Sequence, residues 1–66
     1  MSKTNAAAVK RAIAALERAD AALGPVFDMS VDAGMADDPR NGIVRLRKDL
    51  REFAEYLEKA TWWRKL

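Results

Sequence analysis

Residues 43–60, IVRLRKDLREFAEYLEKA, contain neither glycine nor proline and repeat large apolar side chains at alternating intervals of three and four. That spacing is typical of one face of an amphipathic helix. The members of the row are Ile43, Leu46, Leu50, Phe53, Leu57 and Ala60. Asp38 and Pro39 are a favourable N-cap and first helical residue. The sequence therefore predicts a helix over about 39–63.

The preceding stretch, residues 5–23 (NAAAVKRAIAALERADAAL), has the same spacing and contains nine alanines, the residue with the highest helix propensity. Its row consists of Ala6, Val9, Ile13, Leu16, Asp20 and Leu23. Thr4 or Asn5 can cap the start, and Gly24-Pro25 is a common signal for a helix end. A first helix over about 5–23 is therefore predicted.

Residues 24–38, GPVFDMSVDAGMADD, separate the two predicted helices and carry four aspartates without a basic residue. Their apolar side chains are too numerous for an unstructured linker. This predicts a structured acidic connector that caps one end of the helix pair. The apolar members are Val26, Phe27, Met29, Val31 and Met35. The expected fold is all-α, one domain over residues 1–66, in which two helices form an antiparallel hairpin.

The chain of 66 residues is short for a stable core, and it contains no cysteine and no histidine. Disulfides and common metal sites therefore cannot supply the missing stability, which leaves self-association. Because two amphipathic helices make only one layer, we expect a homodimer that closes into a four-helix bundle.

The predicted antiparallel register places Asp20, the one polar member of the first row, level with Leu46 and Arg47. We favour an ion pair between Asp20 and Arg47 across the hairpin. The alternative is a polar residue within the packed row that fixes register or oligomeric state at some cost in stability.

No residue pattern indicates catalysis, a cofactor or a metal. The stretch Asp28-x-Ser30-x-Asp32 resembles the opening of a calcium loop, but Ala33 and Pro39 stand where that loop requires glycine and glutamate. We expect a non-enzymatic protein without cofactors. No apolar run approaches the length of a membrane span, so a soluble, cytoplasmic protein is expected.

A basic cluster occupies the first half of the second predicted helix; it consists of Arg40, Arg45, Arg47, Lys48 and Arg51. The favoured interpretation is a solvated face with ion pairs four residues apart, as in Arg45–Asp49, Lys48–Glu52 and Arg51–Glu55. The alternative interpretation is a phosphate-binding patch for nucleic acid or a nucleotide.

The last seven residues, ATWWRKL, place two tryptophans next to each other, and neighbours on a helix point about 100° apart. Continuing the second helix puts Trp63 against the alanines of the first helix and Trp62 on the outer face. The predicted partner surface is therefore Trp62 with Arg64 and Lys65. The predicted function is a small non-catalytic protein-binding module, an adaptor or inhibitor of a larger protein, with nucleic-acid or nucleotide binding as the alternative.

Overall fold

The structure, a computed structural model, describes residues 3–35 and 42–65. Within these ranges the chain forms helix α1 (Lys3–Asp32), helix α2 (Ile43–Lys59) and a short 3-10 helix (Trp63–Lys65), with no strand. Ala6 lies beside Trp63 at one end, and Gly24 lies beside Arg47 towards the other, so the helices are antiparallel. This confirms the all-α hairpin.

Helix α1 extends nine residues beyond its predicted end at residue 23 and begins two residues earlier than predicted. The prediction that Gly24-Pro25 ends the helix is wrong, because α1 passes through both residues and includes most of the predicted connector. A proline ring normally disfavours helical geometry in the preceding residue by contacting its Cβ, and Gly24 has no Cβ. The packing of Leu23 and Phe27, which are partly buried, offsets the hydrogen bond that Pro25 cannot donate.

Helix α1 ends instead at Asp32, two residues before Gly34, which has a φ of 74°. The backbone N–H of Met35 donates to the carbonyl of Ser30 at 2.7 Å, and that of Gly34 donates to the carbonyl of Val31 at 3.0 Å. This pair of bonds is a Schellman motif, which requires a left-handed residue and so favours glycine. The signal that ends α1 is therefore the second glycine of the predicted connector.

The packed face of α1 follows the predicted row in full. All six predicted positions are partly buried, and the same spacing continues through Phe27 and Ser30. The hydroxyl of Ser30 donates to the carbonyl of Phe27 at 2.7 Å, so this polar side chain is satisfied locally. The row of α1 thus spans the whole length of the helix.

Helix α2 is shorter than the predicted span of 39–63. It begins after Gly42, which makes no side-chain capping bond, and it ends at Lys59 because Ala60 adopts an extended conformation. The predicted capping residues Asp38 and Pro39 lie outside the described residues.

The packed face of α2 is rotated relative to the predicted one. Positions 43, 50 and 57 lie against α1 as expected, but Leu46 and Phe53 are exposed, and Arg47 and Ala54 replace them in the contact. The small side chain of Ala54 lets α2 approach α1 closely, and Arg47 turns inward to reach Asp20. The prediction that Leu46 and Phe53 belong to the packed row is therefore wrong.

The hairpin is one layer thick, with principal extents of 49 × 17 × 14 Å. Its radius of gyration is 15.2 Å, whereas a compact domain of this length has about 11 Å. Among the described residues only Ala54, Leu57 and Trp63 form a buried apolar core. A layer of this kind buries one side of each helix and leaves the other sides free to make contacts.

Candidate partner-binding surface

The chain reverses direction immediately after α2. Ala60 donates its N–H to the carbonyl of Tyr56 at 2.9 Å and then leaves the helix, and the N–H of Arg64 donates to the carbonyl of Thr61 at 3.1 Å. The resulting tail, residues 60–65, folds back against the end of the hairpin. The two tryptophans therefore lie on this tail, not on α2 as predicted.

Trp63 is the most buried of the described residues, with 3% of its surface exposed. Its indole N–H donates to the backbone carbonyl of Leu57 at 2.8 Å, which satisfies one of the carbonyls left free at the end of α2. The guanidinium of Arg64 lies over its ring, 4.6 Å from the centroid. The prediction that Trp63 belongs to the core is confirmed.

Trp62 points away from the core and is 51% exposed, as predicted. Its indole N–H donates to the hydroxyl of Tyr56 at 2.9 Å, and the ring of Tyr56 lies 5.7 Å from that of Phe53. Phe53, Tyr56 and Trp62 thus form an exposed aromatic cluster. Phe53 was predicted to lie in the packed row, so the cluster was not predicted, although Phe53 and Tyr56 are spaced as neighbours on a helix.

Arg64 and Lys65, the other candidate residues for partner binding, have different environments. Arg64 donates from its guanidinium to the carbonyl of Glu58 as well as covering Trp63, so its side chain secures the tail. Lys65 is exposed beside it. All three candidate residues are exposed, but the guanidinium of Arg64 already contacts Glu58 and Trp63.

The basic cluster does not form one continuous surface. Arg47 donates to Asp20 at 2.8 Å, which confirms the predicted ion pair, and Arg51 approaches the other oxygen of Asp20 at 3.7 Å. Lys48 lies 3.9 Å from Glu52, as predicted, whereas Arg45 is exposed on another side of α2. Arg40 lies outside the described residues.

A shallow hollow of about 210 Å³ lies beside this ion pair, lined by Phe27, Val44, Arg47 and Arg51. Two of its walls are guanidinium groups, which can bind a phosphate or a carboxylate. Its other walls are apolar and can contact an apolar group attached to that anion. Because both guanidinium groups already face the carboxylate of Asp20, the hollow carries less positive charge than two arginines suggest.

Near the tail, Lys59 donates to the carboxylate of Glu55 at 2.6 Å. The hydrogen bond and the charge of Lys59 lower the pKa of Glu55, and the same contacts raise the pKa of Lys59. Glu55 therefore pairs with Lys59. Its predicted partner was Arg51, which approaches Asp20 instead.

The pair of Asp20 and Arg47 should be coupled energetically. Their side chains are 16% and 29% exposed, so water screens them less than it screens a surface pair. A double-mutant cycle with Asp20→Ala and Arg47→Ala should give a coupling free energy of about 1 kcal/mol, measured by urea unfolding. The exposed pair Lys48–Glu52 is the matched control, with about 0.3 kcal/mol expected. Equal couplings for the two pairs would contradict the observed burial.

Within residues 3–35 and 42–65 no group of acidic side chains is arranged to hold a metal ion. Asp28, Ser30 and Asp32 lie in the last two turns of α1, not in a loop. In the same ranges no helix is long and apolar enough to cross a membrane. Comparison of the chain with protein families, curated proteins and solved structures finds no match.

Proposed function

We propose that this chain is a small non-catalytic protein-binding module that acts as an adaptor or inhibitor of a larger protein, with Trp62 at the centre of the contact. The observation that carries the proposal is an exposed indole whose N–H is held by Tyr56. An aromatic side chain that is already oriented loses little conformational entropy on binding, and tryptophan is enriched at energetic hot spots.

Lys65 lies near Trp62 on the same tail and adds a positive charge to the contact. A partner that fits this surface presents an apolar pocket for the indole and an acidic group beside it. Arg64 contributes indirectly, because it anchors the tail that carries both side chains.

The proposal predicts that Trp62→Ala weakens binding by about 2 kcal/mol or more, roughly 30-fold, while the hairpin remains folded. The test immobilises the wild type, Trp62→Ala and Val44→Ala, passes an extract of the native host over each and identifies retained proteins by mass spectrometry. Val44 is the matched control, since its exposure of 57% is similar to the 51% of Trp62 but it lines the basic hollow. A protein retained equally by all three chains would contradict the proposal.

The second candidate function is binding of a nucleic acid or nucleotide through the basic cluster, and the hollow at Arg47 and Arg51 is the observation that favours it. Phosphate binding weakens steeply as salt concentration rises, whereas a contact centred on an indole does not. Titration of labelled single-stranded DNA at low and physiological salt distinguishes the two candidates.

We also propose that the chain functions as a homodimer in a four-helix bundle. Three buried residues are a small core for an isolated domain, and the exposed sides of both helices carry apolar side chains. A second layer would bury them.

A further inference from the structure

Helix α1 carries a second apolar row in addition to the one packed against α2. Its members are exposed and alternate at intervals of four and three over six helical turns: Ala8, Ala12, Ala15, Ala19, Ala22, Val26 and Met29. No charged residue interrupts it. A row with this spacing is typical of a helix face that packs against another helix.

Helix α2 carries a complementary exposed row of large side chains. Leu46, Phe53 and Tyr56 are 48%, 52% and 51% exposed and follow the same helical spacing, with the exposed Asp49 at the position between Leu46 and Phe53. The row of α1 consists mainly of small side chains, whereas that of α2 consists of large ones.

The two rows lie on the same broad side of the hairpin. Gly24 and Arg47 meet on one flank of the contact between α1 and α2. On a helical wheel the second row of α1 falls on the flank away from Gly24, and Leu46 and Phe53 fall on the flank away from Arg47. Both rows therefore face the side opposite the Asp20–Arg47 pair, and we refer to them together as the apolar face.

The accessible surface of the chain is larger than that of a typical folded monomer of the same mass. The accessible surface is 5037 Å², and a folded monomer of 7.4 kDa exposes about 4200 Å². The excess is about 800 Å², which is the area that each protein contributes to a standard stable interface.

We infer that a second copy of this chain covers the apolar face, with α2 of each copy lying on α1 of the other and with both tails at the same end. This inference rests on the proposed homodimer and specifies its geometry. It follows from the two rows, because the alanines of α1 leave space for Leu46, Phe53 and Tyr56 of the second copy. In a twofold dimer this contact between α1 and α2 occurs twice.

The observed register supports this arrangement in detail. Asp20 pairs with Arg47, so Leu46 lies level with the gap between Ala19 and Ala22, and Phe53 with the gap between Ala12 and Ala15. A twofold axis parallel to the helices preserves these levels between copies.

The charges at the apolar face are also complementary. On a helical wheel the exposed Arg11 and Arg18 lie at the border of the α1 row, and the exposed Asp49 lies between Phe53 and Tyr56 in the α2 row. In the inferred dimer Arg18 is level with Asp49 of the second copy. Like charges would meet if α1 lay on α1.

Sedimentation equilibrium of the full chain tests the face. The wild type should have twice the 7.4 kDa chain mass at micromolar concentration. The double substitution Ala15→Glu with Ala19→Glu places unpaired carboxylates in the face and should raise the dimer dissociation constant at least about 100-fold. Ala21→Glu is the matched control, since Ala21 is exposed but outside the row, and it should change that constant less than about threefold.

Circular dichroism must show that each variant remains helical. A monomeric wild type would overturn both the homodimer and its geometry. A dimer that the double substitution leaves intact, or that Ala21→Glu weakens equally, would overturn the geometry alone. Because no partner protein is present, none of these results bears on the role proposed for Trp62.

Disulfide formation tests the orientation, and the chain contains no cysteine that could interfere. Chains with Ala19→Cys mixed with chains with Leu46→Cys should form a mixed disulfide on mild oxidation, whereas each variant alone should not cross-link. Each variant alone should not cross-link because the two α1 helices of the dimer lie diagonally across the bundle, as do the two α2 helices, so that the two copies of one residue are far apart. Self-linkage of Ala19→Cys, or absence of the mixed disulfide, would overturn the inference.

Discussion

Replacing Trp63 by alanine should remove about 3–5 kcal/mol of the free energy of unfolding, most of what a domain of this size has. The indole is 3% exposed, closes the end of the hairpin beside Ala6 and donates to the carbonyl of Leu57. Its loss leaves a cavity and a free backbone carbonyl in one step. Urea unfolding followed by circular dichroism measures the effect.

Two control variants show whether the loss of stability is specific to Trp63 and how much of it comes from the ring and how much from the N–H donor. Trp62→Ala should change the free energy of unfolding by about 0.5 kcal/mol or less in the isolated chain, as exposed positions do. Trp63→Phe retains an aromatic ring but not the N–H donor, and it should cost less than Trp63→Ala. If Trp62→Ala proved more destabilising than Trp63→Ala, the assignment of the two tryptophans would be wrong.

Replacing Pro25 by alanine should stabilise the protein by about 2 kcal/mol. Proline costs about 3 kcal/mol relative to alanine inside a helix, and the greater freedom of the unfolded alanine chain removes up to about 1 kcal/mol of the gain. Pro25 is exposed, so its removal sacrifices little packing. The free energy of unfolding and the helical circular dichroism signal should both rise.

Pro25→Gly provides the internal comparison for this prediction. Glycine restores the backbone donor but has a helix propensity about 1 kcal/mol below that of alanine, so its stability should lie between those of the proline and alanine chains. A turn at this position would give the opposite order, because proline and glycine both favour turns. A loss of stability in Pro25→Ala would therefore contradict a continuous α1.

The fold class and the first packed row could be predicted because they depend on spacing alone. Every predicted member of the α1 row is partly buried, and the Asp20–Arg47 pair follows from the resulting register. The end of α1 could not be predicted from Gly24-Pro25 in isolation, since the cost of an internal proline is smaller than the gain from packing the turns that follow. Phe27 and Ser30 continue the row at the same spacing and were the available signal.

The exposed position of Trp62 could be predicted, but the aromatic cluster around it could not. Apolar residues occur on two neighbouring faces of α2, and spacing alone does not decide which face contacts α1. The small side chain of Ala54 and the ion pair of Arg47 select the observed face, and they leave Phe53 exposed beside Tyr56 and Trp62. The same ambiguity in α1 concealed its second row, because the alanines were interpreted as helix formers and as the surface that Trp63 contacts, not as a second contact face.

We propose that the hairpin completes its structure by pairing with a second copy through the apolar face. The most direct measurement is the urea midpoint of the wild-type chain over a 100-fold range of protein concentration. A dimer gains about 1.4 kcal/mol of apparent stability for each tenfold increase, so the midpoint should rise with concentration. A cooperative transition with the same midpoint throughout would show that the single hairpin is stable by itself and would contradict the claim.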